Sequence, residues 1–326
     1  PSVGLERGLK QTKSKKWSNL SDEKVKEKIA KQQQKANSKM QNKGIKYKKN
    51  RSYQTVINAE AMTVDAKDVE KIAQIEDVAL VEKDDVIQID PSEMQASKQQ
   101  DVAKDTMGDE LNLKLVPSIT HLKVDKVWEL GNKGKGVKVG VIDTGIDYNH
   151  PDLKDVYKGG RNYVGGSDYN TKRNADDPYE TKPEERPGHL PEVNESGSEY
   201  YTTHGTHVAG TIAAQGKNEF GMYGIAPNVD LYAYRVLGAY GRGSTSWIVG
   251  GIEDAVKDDM DVINLSLGNS SPEENQANAM AVNNAMLLGV TANVATGNSG
   301  PERSTIGAPA TSPLGIGVGN TTLPEE

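Results

Sequence analysis

Four short stretches of this 326-residue chain end in side chains that could act together on a carbonyl group. Asp143 closes the apolar run VKVGVID and His204 opens HGTHVAGT; Asn264, Ser266 and Gly268 fall at the end of DVINLSLG; Gly297 and Asn298 follow VTANVA. A carboxylate can orient an imidazole and stabilise its protonated form, the imidazole can take a proton from a nucleophile, and a side-chain amide can donate to a developing oxyanion. These are the orienter, the general base and the oxyanion donor of acyl transfer. Other chemistries fit the spacing less well. His204 and His207 are three apart, whereas a helical zinc pair needs a spacing of four with a Glu between, so His207 reads as a structural helix residue. GNKGKG at 131–136 precedes a strand, while a dinucleotide-binding glycine turn follows one. With no cysteine in the chain, disulfides, thiolate metal sites and cysteine nucleophiles are excluded.

These side chains need a frame that delivers them to one rim. Apolar strands are expected at 137–142, 229–237, 261–267 and 290–295, alternating with helices that begin at His204, span 244–258 and span 272–288. The strands lack period-2 alternation, as strands covered by helices on both faces do, and the order is that of a doubly wound parallel α/β sheet. In such sheets ligands gather beyond the carboxyl ends of the strands, where Asp143, Ser266 and Gly297 fall. The helix at 272–288 has a capping-box pattern in Ser271 and Glu274 and a stop at Gly289.

VIDTGIDYNHPDL at 141–153 and HGTHVAGTIAA at 204–214 resemble the two signature blocks of the subtilisin (S8) family of serine proteases. SLG at 266–268, GNSGP at 297–301 and VLGAYGRGSTSWIVGGIE at 236–253 also match its pattern, so the resemblance covers about 120–320. It implies Asp143 as orienter, His204 as base and Asn298 as oxyanion donor. A peptide substrate would add as a strand beside Gly241, Arg242 and Gly243 and beside Ser266, Leu267 and Gly268. Ala295, Thr296 and Gly297 would line the pocket for the side chain before the scissile bond. The chemistry so implied requires no cofactor. Asp152, in HPDL, matches a position that holds structural calcium in many members, although it supplies at most two of the six to eight oxygens calcium takes. The loop at 213–224 departs from the family pattern there, and a turn-capping Asp is the competing reading.

The net charge of −7 hides an asymmetry: residues 1–50 hold fifteen Lys and Arg against four Asp and Glu, leaving the remainder at −18. Aromatic residues are sparse in the basic stretch, which therefore reads as a solvated surface and not as a nucleic-acid arm. No apolar run is long enough to span a membrane. A helix is expected at 21–40 with Ser21 as its cap, then a strand at 54–61, a helix at 65–76 and β-rich runs at 78–81 and 86–89. This small α+β unit, at about 45–90 within a pro-segment of residues 1–90, resembles the second half of the family's inhibitory propeptide, an intramolecular inhibitor. A processing linker is expected at 91–115, and an incomplete catalytic domain at 116–326. The family is largely secreted, which makes an extracellular protein acting on polypeptides the expectation; no signal pattern opens the chain.

The resemblance breaks at the nucleophile. The family serine sits in a Gly-Thr-Ser-x-Ala block that opens a late helix, and these 326 residues contain no such block. Residues 165–200 also form an acidic, Pro-containing addition between Asp143 and His204. Two readings follow: a subtilisin-type endopeptidase whose serine lies in a longer polypeptide, or a non-catalytic fragment or degenerate peptide-binding domain.

Overall fold

The computed structural model describes residues 23–91, 117–166, 169, 173–217, 221–269 and 276–320. Six parallel strands form the main sheet: β4 (Lys138–Asp143), β5 (Tyr157–Asn162), β6 (Asp230–Arg235), β8 (Val262–Leu265), β9 (Thr291–Ala295) and β10 (Ile316–Val318). Their order is β10-β9-β8-β4-β6-β5, so β4 is flanked by β6 on one side and β8 on the other. The chain completes one side of β4 before crossing to β8, and the order therefore reverses at the carboxyl ends of β4 and β8. A crevice opens at such a switch point.

Four helices of the sheet domain matter for the site or its supports: α5 (His204–Ala213), α6 (Thr245–Lys257), α7 (Ala277–Leu287) and the short α4 (Val124–Glu129), which follows α3 (Pro117–His121). Ile142 on β4, Val236, Ile248 and Ile252 of α6, Ile263 and Leu265 of β8, Val282 of α7 and Val294 of β9 form one buried cluster. Val139, Val141, Leu231, Ala209 and Ala213 form a second on the α5 face. Helices thus cover both faces, as the missing alternation requires. Ser244 caps α6 by accepting from the Trp247 amide.

The N-terminal unit contains α1 (Glu23–Asn42), an antiparallel hairpin of β1 (Tyr47–Tyr53) and β2 (Ala59–Val64), α2 (Val69–Ala73) and β3 (Val86–Gln88). The strand expected at 54–61 is instead the connection of this hairpin and the start of β2. The amides of Gln54, Thr55 and Val56 bond to the Glu253 carboxylate of α6 and not to a neighbouring strand. The run at 78–81 is no strand either, and Leu80 is well exposed and Val81 moderately so. The last helix begins at Ala277, and Ser271 and Glu274 lie outside the described residues, as do Ser21 and most of the expected 91–115 linker.

Candidate active site

β4 ends at Asp143, which is fully buried. Its Oδ1 accepts from the Thr144 amide at 2.7 Å and lies 2.7 Å from His204 Nδ1. Its backbone oxygen accepts from the Val236 and Leu237 amides, which ties the strand end to the segment after β6. His204 is the first residue of α5 and is 8% exposed. With a carboxylate at Nδ1, that nitrogen carries the proton and Nε2 is left as the basic site. The helix start is drawn close to the strand end: the Gly205 amide donates to Thr144 Oγ1 at 2.8 Å. Only a glycine fits there, since a Cβ on residue 205 would stand 2.1 Å from the Gly145 carbonyl oxygen. His207, one turn on, keeps much of its surface open to solvent. Partial burial and the neighbouring His204 hold its pKa below the ordinary imidazole value.

The parallel register brings three strand ends level. Val141 stands opposite Asn264 and Leu265 opposite Val294, so Asp143, Ser266 and Ala295 succeed one another across β4, β8 and β9. Ser266 is held by the Asn264 side-chain amide at 3.0 Å, and Leu267 is buried. At Gly268 a Cβ would meet the Ala308 carbonyl oxygen at 3.0 Å. Thr296 is fastened to Val318 through both its amide and its hydroxyl. Gly297 turns the chain at φ +92°, and Asn298 follows on an exposed bend.

Gly241, Arg242 and Gly243 receive a strand from the molecule itself. β7 (Arg242–Ser244) pairs antiparallel with β3, Val86 opposite Ser244, Ile87 opposite Gly243 and Gln88 opposite Arg242. The Ile89 amide continues the ladder to the Gly241 oxygen at 3.1 Å. Ile87 and Ile89 are buried in the same cluster as Leu237 and Leu267, while Gln88, facing the other way, donates to Ser198 Oγ. Only a glycine fits at residue 243, because a Cβ there would lie 2.2 Å from the Val236 oxygen.

Asp152 is buried, and its Oδ1 accepts from the Lys217 amide at 2.6 Å. The Lys217 ammonium pairs with Asp155. Among the described residues no group of three or more His, Asp or Glu could hold a metal ion. Calcium takes six to eight oxygens, of which the Asp152 carboxylate supplies at most two.

Two family models match the chain, the subtilase family over residues 134–325 and the peptidase inhibitor I9 over residues 4–90. The chain belongs to the subtilase family. Among similar subtilases, the minor extracellular protease Vpr of Bacillus subtilis (strain 168) is 38% identical over 89% of this chain and 33% of its own length. Subtilisin DY of Bacillus licheniformis is 44% identical over 62% of each, and subtilisin E of Bacillus subtilis (strain 168) is 36% identical over 85% of this chain and 58% of its own length. The chain thus spans between a third and about 60% of the length of these subtilases. The small N-terminal unit is an I9-type inhibitor domain, and its β3 is the segment that lies along the Gly241–Gly243 edge.

Sequence reading missed two carboxylates that hold this arrangement. Glu253 lies in the middle of α6, where nothing local distinguishes it from a surface helix residue, yet it is 1% exposed. Glu180 lies in the 165–200 addition, read only as an added loop, and is also buried.

Proposed function

We propose that this subtilase chain is the zymogen front of a serine endopeptidase, with Asp143 as orienter, His204 as general base and Asn298 as oxyanion donor. The observation that carries the reading is the 2.7 Å contact of His204 Nδ1 with the buried Asp143 carboxylate at a sheet switch point. The nucleophile belongs to a Gly-Thr-Ser-x-Ala block outside these 326 residues. In the assembled site, His204 Nε2 takes the proton from the serine hydroxyl as the oxygen attacks the scissile carbonyl. Asp143 stabilises the resulting imidazolium, and Asn298 donates to the carbonyl oxygen as it becomes negative. The imidazolium then gives its proton to the leaving amine as the peptide C–N bond breaks, and water repeats the sequence on the acyl-enzyme.

Polypeptide substrate would take the place that β3 now fills, pairing along Gly241, Arg242 and Gly243 on one side and Ser266, Leu267 and Gly268 on the other. Ala295, Thr296 and Gly297 would line the pocket next to the scissile bond. While β3 occupies that edge the site is closed, so the N-terminal unit acts as an intramolecular inhibitor, and removal would follow cleavage within 91–115. No cofactor enters these steps, and none is routed through calcium. An extracellular setting is inferred from one relative, the minor extracellular protease Vpr.

A non-catalytic peptide-binding product is the second reading; these 326 residues themselves contain no Gly-Thr-Ser-x-Ala block. A fluorophosphonate probe separates the two. This chain alone should remain unlabelled, and a longer form carrying the downstream block should label at that serine. Stoichiometric labelling within these 326 residues would overturn the assignment of the nucleophile, and an unlabelled longer form with its pro-unit removed would support the second reading.

A further inference from the structure

The 165–200 addition carries Glu180 into the space between the end of β4 and the start of α5. Glu180 is 4% exposed, and its carboxylate is fully used. Oε1 accepts from the Thr144 hydroxyl at 3.1 Å, the Thr206 amide at 2.9 Å and the Thr206 hydroxyl at 3.1 Å; Oε2 accepts from the Thr202 hydroxyl. Thr144 immediately follows Asp143, and Thr206 is two residues beyond His204. One carboxylate therefore bridges the segments that carry the two paired side chains.

The need for such a bridge is visible in α5 itself. Its N-cap residue, Thr203, makes no side-chain cap bond, so the first-turn amides require acceptors from elsewhere. Gly205 finds Thr144 Oγ1, and Thr206 finds Glu180. A carboxylate at this end also faces the positive pole of the helix. The addition is anchored so that Glu180 cannot drift. The Ile146 amide donates to the Pro178 oxygen, the Thr181 and Thr202 segments exchange two bonds, and the buried Arg235 donates to Thr181 Oγ1. Thr144 and Thr206 each do double duty, since Thr206 Oγ1 also accepts from the Asp147 amide.

We propose that Glu180 is a positioning residue for the Asp143–His204 pair, a tertiary cap that sets the distance between strand end and helix start. This rests on the reading of that pair given above. It makes the addition part of the working frame and not a surface ornament. Burial pushes the Glu180 carboxyl up, and its hydrogen bonds pull the other way. The charged and titratable groups around the cap are Asp143, His204, Arg235, and Arg173 with its partners Asp177 and Glu185.

The test uses the 326-residue chain and does not depend on turnover. In the parent, His204 Nδ1–H should give a far-downfield proton resonance that Asp143→Asn removes, and the Thr206 amide should be protected from hydrogen exchange. Glu180→Ala should broaden that resonance away and speed exchange at Thr206 by about tenfold, the scale of a lost helix cap. Glu180→Gln, whose carbonyl can still accept from Thr206 and Thr144, should recover most of both. If Glu180→Ala does not fold, the parent still decides: the Thr206 amide shift should follow the titration of the Glu180 carboxyl carbon, and a Thr206 amide indifferent to it overturns the proposal. A parent without the downfield proton overturns the Asp143–His204 pairing and this proposal together. A parent that has it, with both readouts unmoved in Glu180→Ala, overturns the role of Glu180 alone.

Discussion

The N-terminal unit and the sheet domain keep their apolar groups in different places. The unit's own buried cluster consists of four residues, Met40, Ile45, Ile72 and Ile75. Tyr53, Val56, Ile87 and Ile89 of the same unit belong instead to the large cluster beneath the main sheet. The polar ties across the boundary are reciprocal. Glu253 of α6 accepts from three consecutive amides of the unit, while Glu82 of the unit accepts from the Ala277 amide at the start of α7. Asp84 accepts from the amide and hydroxyl of Ser246 in the first turn of α6. A unit with so small a core gains much of its order from its partner, and each part completes backbone bonding that the other leaves open. The rim at Asp143 and His204 is the reverse case: the end of β4, the start of α5 and Glu180 of the addition satisfy one another within the sheet domain.

The contrast can be broken most sharply at the rim. In a longer form carrying the nucleophile, Asp143→Asn should leave the melting temperature near that of the parent but slow turnover by roughly 10⁴, the scale of such a change in a triad on an unrelated fold. Comparison of turnover with thermal midpoint checks this, and near-parental turnover would remove Asp143 from the site.

At the boundary the largest effect should come from Glu253→Ala. It strands the amides of Gln54, Thr55 and Val56, and a cost on the order of 3 kcal/mol is expected for leaving them buried without acceptors. Hydrogen exchange should show the unit opening while the main sheet stays protected; equal loss in both would mean that they unfold as one body. A smaller loss, about 1 kcal/mol, is expected from Asp84→Ala, which removes one helix cap. Faster cleavage by a probe protease near 86–91 would report it.

Acid should distinguish the regions with the smallest effects. His207 has its pKa held below 6.5 by partial burial and by His204, so the folded state resists its protonation and stability from this group is lost as pH falls below 6.5. For Asp254, burial acts to raise the carboxyl, but Arg51 and Lys257 outweigh it and hold its pKa below 3.8. The boundary pair of Arg51 with Asp254 should therefore persist through mild acid and fail only below that value. Side-chain titrations by NMR would check both, with His207 expected to move upward in His204→Ala.

By itself the sequence determined the parallel α/β frame, because buried strands and helices impose different apolar spacings that VKVGVID, DVINLSLG and VTANVA display openly. It also determined where Asp143 and His204 must lie, since a strand end and a helix start are local features. The hairpin at 47–64 was not legible: its connection at 54–58 is β-like in composition and becomes a turn only because Glu253, about two hundred residues on, takes its amides. Nor could spacing reveal that β3 would lie on Gly241–Gly243, as strand pairing follows from docking and not from sequence distance. Glu180 is the clearest case. In sequence it is one acid among many in a polar addition, and only the fold brings Thr144, Thr202 and Thr206 around it, because hydrogen-bond partners are chosen by three-dimensional proximity and burial.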